Sequence, residues 1–236
     1  MIINQITKGI SAGGSSIAGT LCHSKSFESV MGWSLVPAVL SQIKGAPEVL
    51  PTGYTRLSYI QSSGTQYINT GFIANQDTRV VMEAEHTVTN AVSWLFGART
   101  ATGKNHYNFL AYQNKYRTDY NTTILYYDAA ITTMTKVDKN KNVTTFNGTE
   151  VLTDTYATFN CQYPLFLLAM NTAGTASGFA SAKLKKVLIY DNGTIVRNFI
   201  PCKNASGAVG LYDCITGAFY ANAGTGTFTA GDVVQQ

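Results

Sequence analysis

Charged residues are scarce in this chain of 236 residues, in which Asp, Glu, Lys and Arg together make up 13% and hydrophobic residues 45%. The charged share is about half of that in a typical soluble domain. The 17 basic and 13 acidic residues leave a formal net charge of +4. The densest basic run, residues 136–141, is interpreted as a solvated turn, whereas a nucleic-acid footprint needs a clustered basic stripe. The composition therefore predicts no nucleic-acid partner.

Long apolar runs and paired cysteines are also missing. No stretch approaches the roughly 18 consecutive apolar residues of a membrane-spanning helix. The first residues lack a charged segment followed by an apolar one, so no secretory signal peptide is predicted. The cysteines, Cys22, Cys161, Cys202 and Cys214, include no CxxC spacing. We interpret them as free thiols, and leave open whether Cys202 and Cys214 face each other across neighbouring strands.

The sequence offers little for catalysis. There is no Gly-x-Ser-x-Gly nucleophile elbow, and the histidines are His23, His86 and His106. Glu83 and Glu85 share one face of a predicted strand and resemble the carboxylate pair of a glycosidase. A solvated strand face is the simpler explanation. We predict no catalytic residue and a non-enzymatic protein, with a glycosidase as the weaker alternative.

Oxygen-bearing side chains in the loops are the one feature that would allow a bound cofactor. Calcium on β-sandwiches takes oxygen ligands from loops, and the candidate side chains are Asp119, Asn121, Asp128, Asp191, Asn192 and Asp213. None of them stands at the spacing of an EF-hand loop, and Asp-Asn-Gly is explained by a turn. We therefore predict no cofactor and no metal-ligand set, with calcium left open.

What the sequence does contain is a series of short strands separated by turn residues. Asn147-Gly148 is the preferred pair for a tight type I′ hairpin. Segments 57–62 and 65–72 flank Ser-Ser-Gly and predict a second hairpin, and 164–170 is a nearly continuous apolar run, as in a central strand. No segment after residue 50 has a sustained helical period. The pattern predicts an all-β sandwich or barrel.

Several phrases along the chain together resemble one family. They are Leu50-Pro-Thr-Gly-Tyr-Thr-Arg-Leu at the start, Leu95-Phe-Gly-Ala-Arg99, the segment 186–202, and the closing segment 207–228. In this order they resemble the concanavalin-A-like (laminin-G-like) jelly-roll module that is frequent in phage and prophage proteins of gut bacteria. The resemblance covers about residues 50–231. It implies an all-β, two-sheet antiparallel jelly-roll sandwich over 50–236, preceded by an irregular N-terminal arm over 1–49.

The resemblance also implies a function. We expect a bacteriophage virion structural protein, displayed on a tail, baseplate or capsid surface and made in the bacterial host cytoplasm. Residues 11–20 have linker composition, and the arm matches no family, so it is expected to dock on other virion proteins. The side chains predicted to dock are Ile3, Ile6, Phe27, Trp33 and Leu35. Such proteins act in many copies, so a homo-oligomer is expected.

The alternative function is a dedicated carbohydrate-binding adhesin or receptor-binding protein. Aromatic platforms with neighbouring donors suit host-surface glycans, and segment 107–127 is the richest in both. Tyr112, Tyr116, Arg117 and Tyr120 are the predicted glycan contacts. Alternating tyrosines on a strand are also ordinary cross-strand packing, so a structural role for each of them stays open.

Overall fold

The computed structural model describes residues 48–88, 92–131 and 133–235, and these contain strands and loops without any helix. No helix long and apolar enough to span a membrane is found among them. The strands are β1 (Thr55–Arg56), β2 (Ile60–Ser63), β3 (Ile68–Asn75), β4 (Thr78–His86), β5 (Ser93–Arg99), β6 (His106–Tyr112), β7 (Lys115–Asn121), β8 (Thr123–Tyr127), β9 (Thr135–Asn140), β10 (Val143–Phe146), β11 (Thr149–Thr153), β12 (Asn160–Leu167), β13 (Met170–Thr172), β14 (Thr175–Ser177), β15 (Ser181–Asp191), β16 (Thr194–Lys203), β17 (Val209–Asp213), β18 (Ala218–Tyr220) and β19 (Thr229–Ala230).

The strands form two sheets, named here the front sheet and the back sheet. The front sheet has the order β14-β13-β5-β6-β7-β8, and β12 joins β5 to β3. The back sheet has the order β11-β10-β9-β4-β15-β16-β17-β18, with β1, β2 and β19 paired at its side. Pairing is antiparallel except between β5 and β13. The predicted all-β, two-sheet antiparallel sandwich is confirmed.

The sheets stack because alternate side chains on each strand are apolar. On β4, Val80, Met82 and Ala84 are buried, while Glu83 and Glu85, on either side of Ala84, are partly exposed. On the front sheet, Phe109 of β6 is buried and stacks on the Tyr116 ring at 5.0 Å. Burying each large apolar side chain stabilises the fold by about 1.5–3 kcal/mol.

One predicted hairpin is confirmed and the other is wrong. Asn147 and Gly148 join β10 to β11 with positive φ angles of 51° and 85°, as a type I′ turn requires. By contrast, β2 pairs with β15 and β19 in the back sheet, whereas β3 pairs with β12 in the front sheet. The chain changes sheet at this corner. The Gln66 Oε1 atom there accepts hydrogen bonds from the Ser62 hydroxyl at 2.9 Å and the Ser63 N–H at 2.8 Å.

The basic run at residues 136–141 is not a solvated turn, which corrects the prediction. Most of it forms β9, and the Lys139 side chain points into the sandwich with no exposed surface. Its Nζ donates to the Thr118 hydroxyl at 2.5 Å and lies 5.1 Å from the ring centre of Tyr107 and 5.6 Å from that of Tyr120. Burial lowers the pKa of Lys139 to about 8, against the opposing charges of Asp154 and Asp119.

The described cysteines Cys161, Cys202 and Cys214 are free thiols, as predicted. Burial raises the pKa of each thiol to about 12. They act as small apolar groups, Cys161 in the main core and the other two in a smaller cluster with Ile200 and Tyr212 on the back sheet.

Candidate functional site

The candidate site lies on the outer face of the front sheet, where β6, β7 and β8 run side by side. Because side chains alternate along a strand, β7 directs Tyr116 and Tyr120 inward and Arg117 and Asp119 outward. The strand register places Arg117 opposite Tyr126 of β8, and Asp119 opposite Asn108 of β6. One face thus combines a cation, a carboxylate, an amide and aromatic rings.

Asp119 forms the floor of this face. Its carboxylate is fully buried and accepts two hydrogen bonds from Arg117, Nε to Oδ1 at 2.6 Å and Nη2 to Oδ2 at 2.7 Å. The Asn108 amide donates to Oδ2 at 3.0 Å, and His106 Nδ1 lies 3.1 Å from the same oxygen. Burial acts to raise the pKa of Asp119, but the hydrogen bonds from His106, Arg117 and Asn108 lower it to about 2. The carboxylate is therefore a fixed negative charge at any ordinary pH.

His106 extends the network to a turn at the rim. The backbone N–H of Gly103 donates to His106 Nε2 at 2.8 Å, so this nitrogen acts as an acceptor. Nδ1 must then carry the proton that is shared with Asp119. The neutral Nδ1–H form of His106 satisfies both bonds and ties the 101–104 turn to the carboxylate that holds Arg117.

Arg117 is held flat between Asp119 and two tyrosines. Its guanidinium carbon lies 5.6 Å from the ring centre of Tyr112 and 6.0 Å from that of Tyr126, and the two rings are 5.9 Å apart. Burial acts to lower the pKa of Arg117, but the hydrogen bonds and charge of Asp119 raise it overall. Nε and Nη2 are occupied by Asp119, and no acceptor in the described part of the chain bonds to Nη1. The N–H groups of Arg117 Nη1 therefore remain available to a ligand.

A second arginine lies on the same face. Arg99, at the end of β5, donates its Nε to the Thr172 hydroxyl at 2.8 Å, which leaves both Nη groups without an acceptor among the described residues. Burial lowers the pKa of Arg99, Asp119 opposes that shift, and Arg117 adds to it. The positive charges of the two guanidinium groups therefore repel each other across the face.

The four predicted glycan contacts divide between the two sides of the sheet. Tyr112 and Arg117 lie on the outer face described above. Tyr116 and Tyr120 are fully buried, and the Tyr116 ring packs 5.0 Å from Phe146 of the back sheet. The hydroxyl oxygen of Tyr120 lies within hydrogen-bond distance of the carbonyl oxygens of Gln76 and Ala157, at 3.1 and 3.3 Å. Because they alternate with Arg117 and Asp119 along β7, these two tyrosines face the core and cannot contact a glycan on the outer face.

The prediction omitted Arg99, His106, Asn108 and Tyr126. The alternation on β7 was a usable signal, since Arg117 and Asp119 at i and i+2 must share a face. Partners from β5, β6 and β8 depend on strand register, which has no local signature in the sequence. The docking residues Ile3, Ile6, Phe27, Trp33 and Leu35 lie outside the described residues.

The two glutamates considered for catalysis lie on the outer face of the back sheet. Glu83 pairs with Lys185 and Glu85 with Lys183, each at 3.5 Å. This is the usual arrangement of ion pairs across neighbouring strands. Within the described ranges, no group of three or more His, Cys, Asp or Glu side chains is placed to hold a metal ion. Asp119, one of the oxygens considered for calcium, already has both oxygens hydrogen-bonded.

Comparison with known proteins gives likeness of fold only. No protein-family model matches the chain, and no curated protein matches it in sequence. The chain is similar to the CBM40 of a Ruminococcus gnavus IT-sialidase, solved with α2,3-sialyllactose (TM-score 0.45, 13% identity, 56% of this chain and 89% of that one). It is also similar to a mutant NanB sialidase from Streptococcus pneumoniae (TM-score 0.46, 15% identity, 62% of this chain and 27% of that one). NanB with Optactamide gives a TM-score of 0.42 at 14% identity, over 56% of this chain and 26% of that one. The chain thus spans about a quarter of the two NanB structures.

Proposed function

We propose that this chain is a glycan-binding module and that its ligand lies on the outer face of the front sheet. The observation that carries the proposal is Arg117, only 14% exposed and fixed by the fully buried Asp119. Tyrosine rings flank the guanidinium at 5.6 and 6.0 Å and can pack against the apolar face of a sugar ring. A fixed planar donor beside aromatic surface is typical of sites that recognise small polar ligands, because little side-chain entropy is lost on binding.

The charge of the face favours an acidic glycan. Arg99 and Arg117 contribute two positive charges and Asp119 one negative charge, so these three side chains leave one positive charge on the face. Arginine N–H groups match the geometry of a carboxylate, with which they form short charge-assisted hydrogen bonds. A carboxylate-bearing sugar would place its acid group at the free N–H groups of these two arginines and its ring against Tyr126.

A glycan array with acidic and neutral oligosaccharides tests this proposal, followed by calorimetric titration of the best binder. Arg117→Gln should weaken binding at least about 30-fold, the effect of losing a hot-spot residue worth about 2 kcal/mol. Arg99→Gln should cost about tenfold, because one charge-assisted hydrogen bond is lost. Arg79→Gln is the matched control, since Arg79 makes the same bidentate pair with Asp138 on the back sheet. Equal losses for Arg117→Gln and Arg79→Gln, or no bound glycan, would reject the proposal.

A virion setting for this module is a further part of the proposal. Its support is the sequence resemblance to phage jelly-roll modules, in which residues 1–49 would dock on the particle and the sandwich would project outward. Deleting residues 1–49 should then abolish incorporation into particles while leaving glycan binding intact. Incorporation of the truncated chain at the normal level would contradict the virion setting and leave the glycan-binding proposal untouched.

The proposed role is binding without catalysis. Its support is that Glu83 and Glu85 are each ion-paired with lysine on the sheet opposite to Arg117. Incubation with the bound oligosaccharide should release no sugar by mass spectrometry. Release that is abolished by Glu83→Gln would instead establish a glycosidase.

A further inference from the structure

The β8 strand is an edge of the front sheet without the usual protection against pairing. Within the described ranges it pairs with β7 alone. Its sequence, Thr-Ile-Leu-Tyr-Tyr, has no charge, no proline and no glycine, and its pairing with β7 shows no register shift. All five residues favour β-structure or are strongly apolar. Edges of this kind are templates for a further strand.

The other sheet edges differ from β8 in ways that discourage pairing. The pairing of β3 with β12 has two register shifts. At the back sheet edge, β11 carries Glu150, and its pairing with β10 has a register shift. β14 and β18 are only three residues long. Bulges, charges and short strands are the devices by which proteins block edges, so among these edges β8 stands out as open.

We propose that β8 pairs antiparallel with β8 of a second copy of this chain. A two-fold axis at Leu125 would place Ile124 opposite Tyr126 of the second copy, and Thr123 opposite Tyr127. Ile124 and Tyr126 are 42% and 47% exposed, so both have apolar surface to bury. Aromatic rings opposite β-branched side chains are favourable cross-strand pairs. The strand therefore complements itself, as a two-fold interface requires.

Charge also permits this pairing. The nearest charged residue beyond the end of β8 is Asp128, which is 79% exposed on its side chain and pairs with Lys115. In the register centred on Leu125, Asp128 would face Thr122 of the second copy. No two like charges would then stand opposite each other, which would otherwise oppose the pairing. A five-residue strand is small beside standard protein interfaces, so the dissociation constant of the dimer is expected to be micromolar or higher.

The dimer would bring two copies of the proposed glycan site together. Antiparallel pairing at an edge keeps the outer faces on the same side, so Arg117 and its symmetry mate would lie about 15 Å apart, three strand spacings across the sheet. Neighbouring sites can raise the affinity for a multivalent surface without any new contact. This consequence rests on the proposed function, whereas the dimer itself does not.

Sedimentation velocity of the full chain without glycan, over a series of micromolar concentrations, tests the pairing. The wild type should shift from monomer to dimer with concentration, and Ile124→Lys should remain monomeric. Ile73→Lys is the matched control, because Ile73 is 41% exposed on β3 at the opposite edge of the same sheet, and it should dimerise like the wild type. Circular dichroism checks folding, and Thr123→Lys, also at an exposed position, serves as a second variant should Ile124→Lys not fold.

A wild type that stays monomeric, or an Ile124→Lys variant that dimerises like Ile73→Lys, would overturn the proposal. A dimer that forms only after removal of residues 1–47 would also overturn it and would make that segment the occupant of the edge. None of these outcomes depends on glycan binding. Failure of the dimer is therefore distinguishable from failure of the proposed function.

Discussion

Two arginines lie in nearly the same local arrangement on opposite sides of the sandwich. Arg79 on the back sheet donates Nε and Nη2 to Asp138 at 2.8 and 2.6 Å and covers the Tyr190 ring at 5.1 Å. Arg117 on the front sheet does the same with Asp119, beside Tyr112. The difference is burial: the side chains of Arg79 and Asp138 are 38% and 20% exposed, whereas those of Arg117 and Asp119 are 14% and 0% exposed.

This difference separates an ordinary surface ion pair from a prepared site. An exposed pair contributes about 0–1 kcal/mol, because water screens it and both side chains lose freedom. Asp119 is instead removed from water and held by His106 and Asn108 as well as by Arg117. A carboxylate fixed in this way holds Arg117 in one orientation before any ligand arrives. The same residue pair therefore supports a binding role on the front sheet but not on the back sheet.

The largest expected effect is on stability, from removing each carboxylate in turn. Asp119→Ala leaves Arg117, His106 and Asn108 without their acceptor in a buried place, and should lower the free energy of unfolding by about 3–5 kcal/mol. Asp138→Ala should lower it by less than about 1 kcal/mol. Urea denaturation at neutral pH measures both values. Equal losses would remove the distinction between the two faces.

The dependence of the free energy of unfolding on acidic pH also distinguishes the buried Asp119 from an ordinary surface carboxylate. The folded-state pKa of Asp119, about 2, lies below the ordinary aspartate value of 3.8, so the folded state binds fewer protons between these values. The stability it contributes is complete above about pH 4 and is lost as the pH falls towards 2. In Asp119→Asn, the free energy of unfolding should fall less steeply over this range. An unchanged slope would show that Asp119 does not titrate there.

A buried lysine between the two faces gives the next effect in size. Lys139 is fully buried with one hydrogen bond from its ammonium group, to Thr118, and no carboxylate within ion-pair distance in the described residues. Lys139→Met should therefore stabilise the fold by roughly 1–3 kcal/mol at pH 7. The folded-state pKa of about 8 lies below the ordinary lysine value of 10.5, so the unfolded state binds more protons between these values. The contribution of Lys139 to wild-type stability should thus rise from pH 8 to 10.5.

The gain from Lys139→Met should shrink over the same pH interval, because deprotonation removes the buried charge from the wild type. Denaturation of both proteins at pH 7 and pH 10 measures this change. Because other groups titrate equally in the two proteins, their difference isolates Lys139. A gain that is independent of pH would contradict the assignment of a buried, charged lysine.

The smallest expected effect concerns the aromatic partners of the two arginines. Tyr126 is 47% exposed beside Arg117, and Tyr126→Ala should weaken glycan binding about fivefold, close to 1 kcal/mol for an exposed cation–π and stacking contact. Tyr190→Ala beside Arg79 is the matched control and should leave affinity unchanged. Calorimetric titration with the same oligosaccharide compares the two. A similar loss for both tyrosines would place the ligand elsewhere.

Local patterns predicted the fold better than they predicted the site. Asn147-Gly148 fixed its hairpin because two adjacent positive φ angles leave few other residue choices. The Ser-Ser-Gly corner misled, since a turn does not specify whether its strands share a sheet. The basic run of β9 was mistaken for solvent-exposed structure because its composition conceals that Lys139 alternates inward with Thr135 and Val137.

The site residues, too, could be predicted only where a local pattern revealed them. Alternation on β7 placed Arg117 and Asp119 on one face and Tyr116 and Tyr120 on the other, but it could not decide which face is buried, because tyrosine is accepted on either side. Arg99, which is distant in sequence, came to the face through the pairing of β5 with β6. Register between strands is set by the packing of the whole sheet, so it has no signal in any single segment.

The outer face of the front sheet is the proposed place of glycan binding. Nuclear magnetic resonance of the ¹⁵N-labelled chain, titrated with the acidic oligosaccharide selected on the array, tests this most directly. The largest chemical-shift changes should fall on the Arg117 and Arg99 side-chain Nε–H groups and on the backbone of Tyr126, while the Arg79 Nε–H signal should not shift. Changes centred on Arg79 and the back sheet, with Arg117 unaffected, would contradict it.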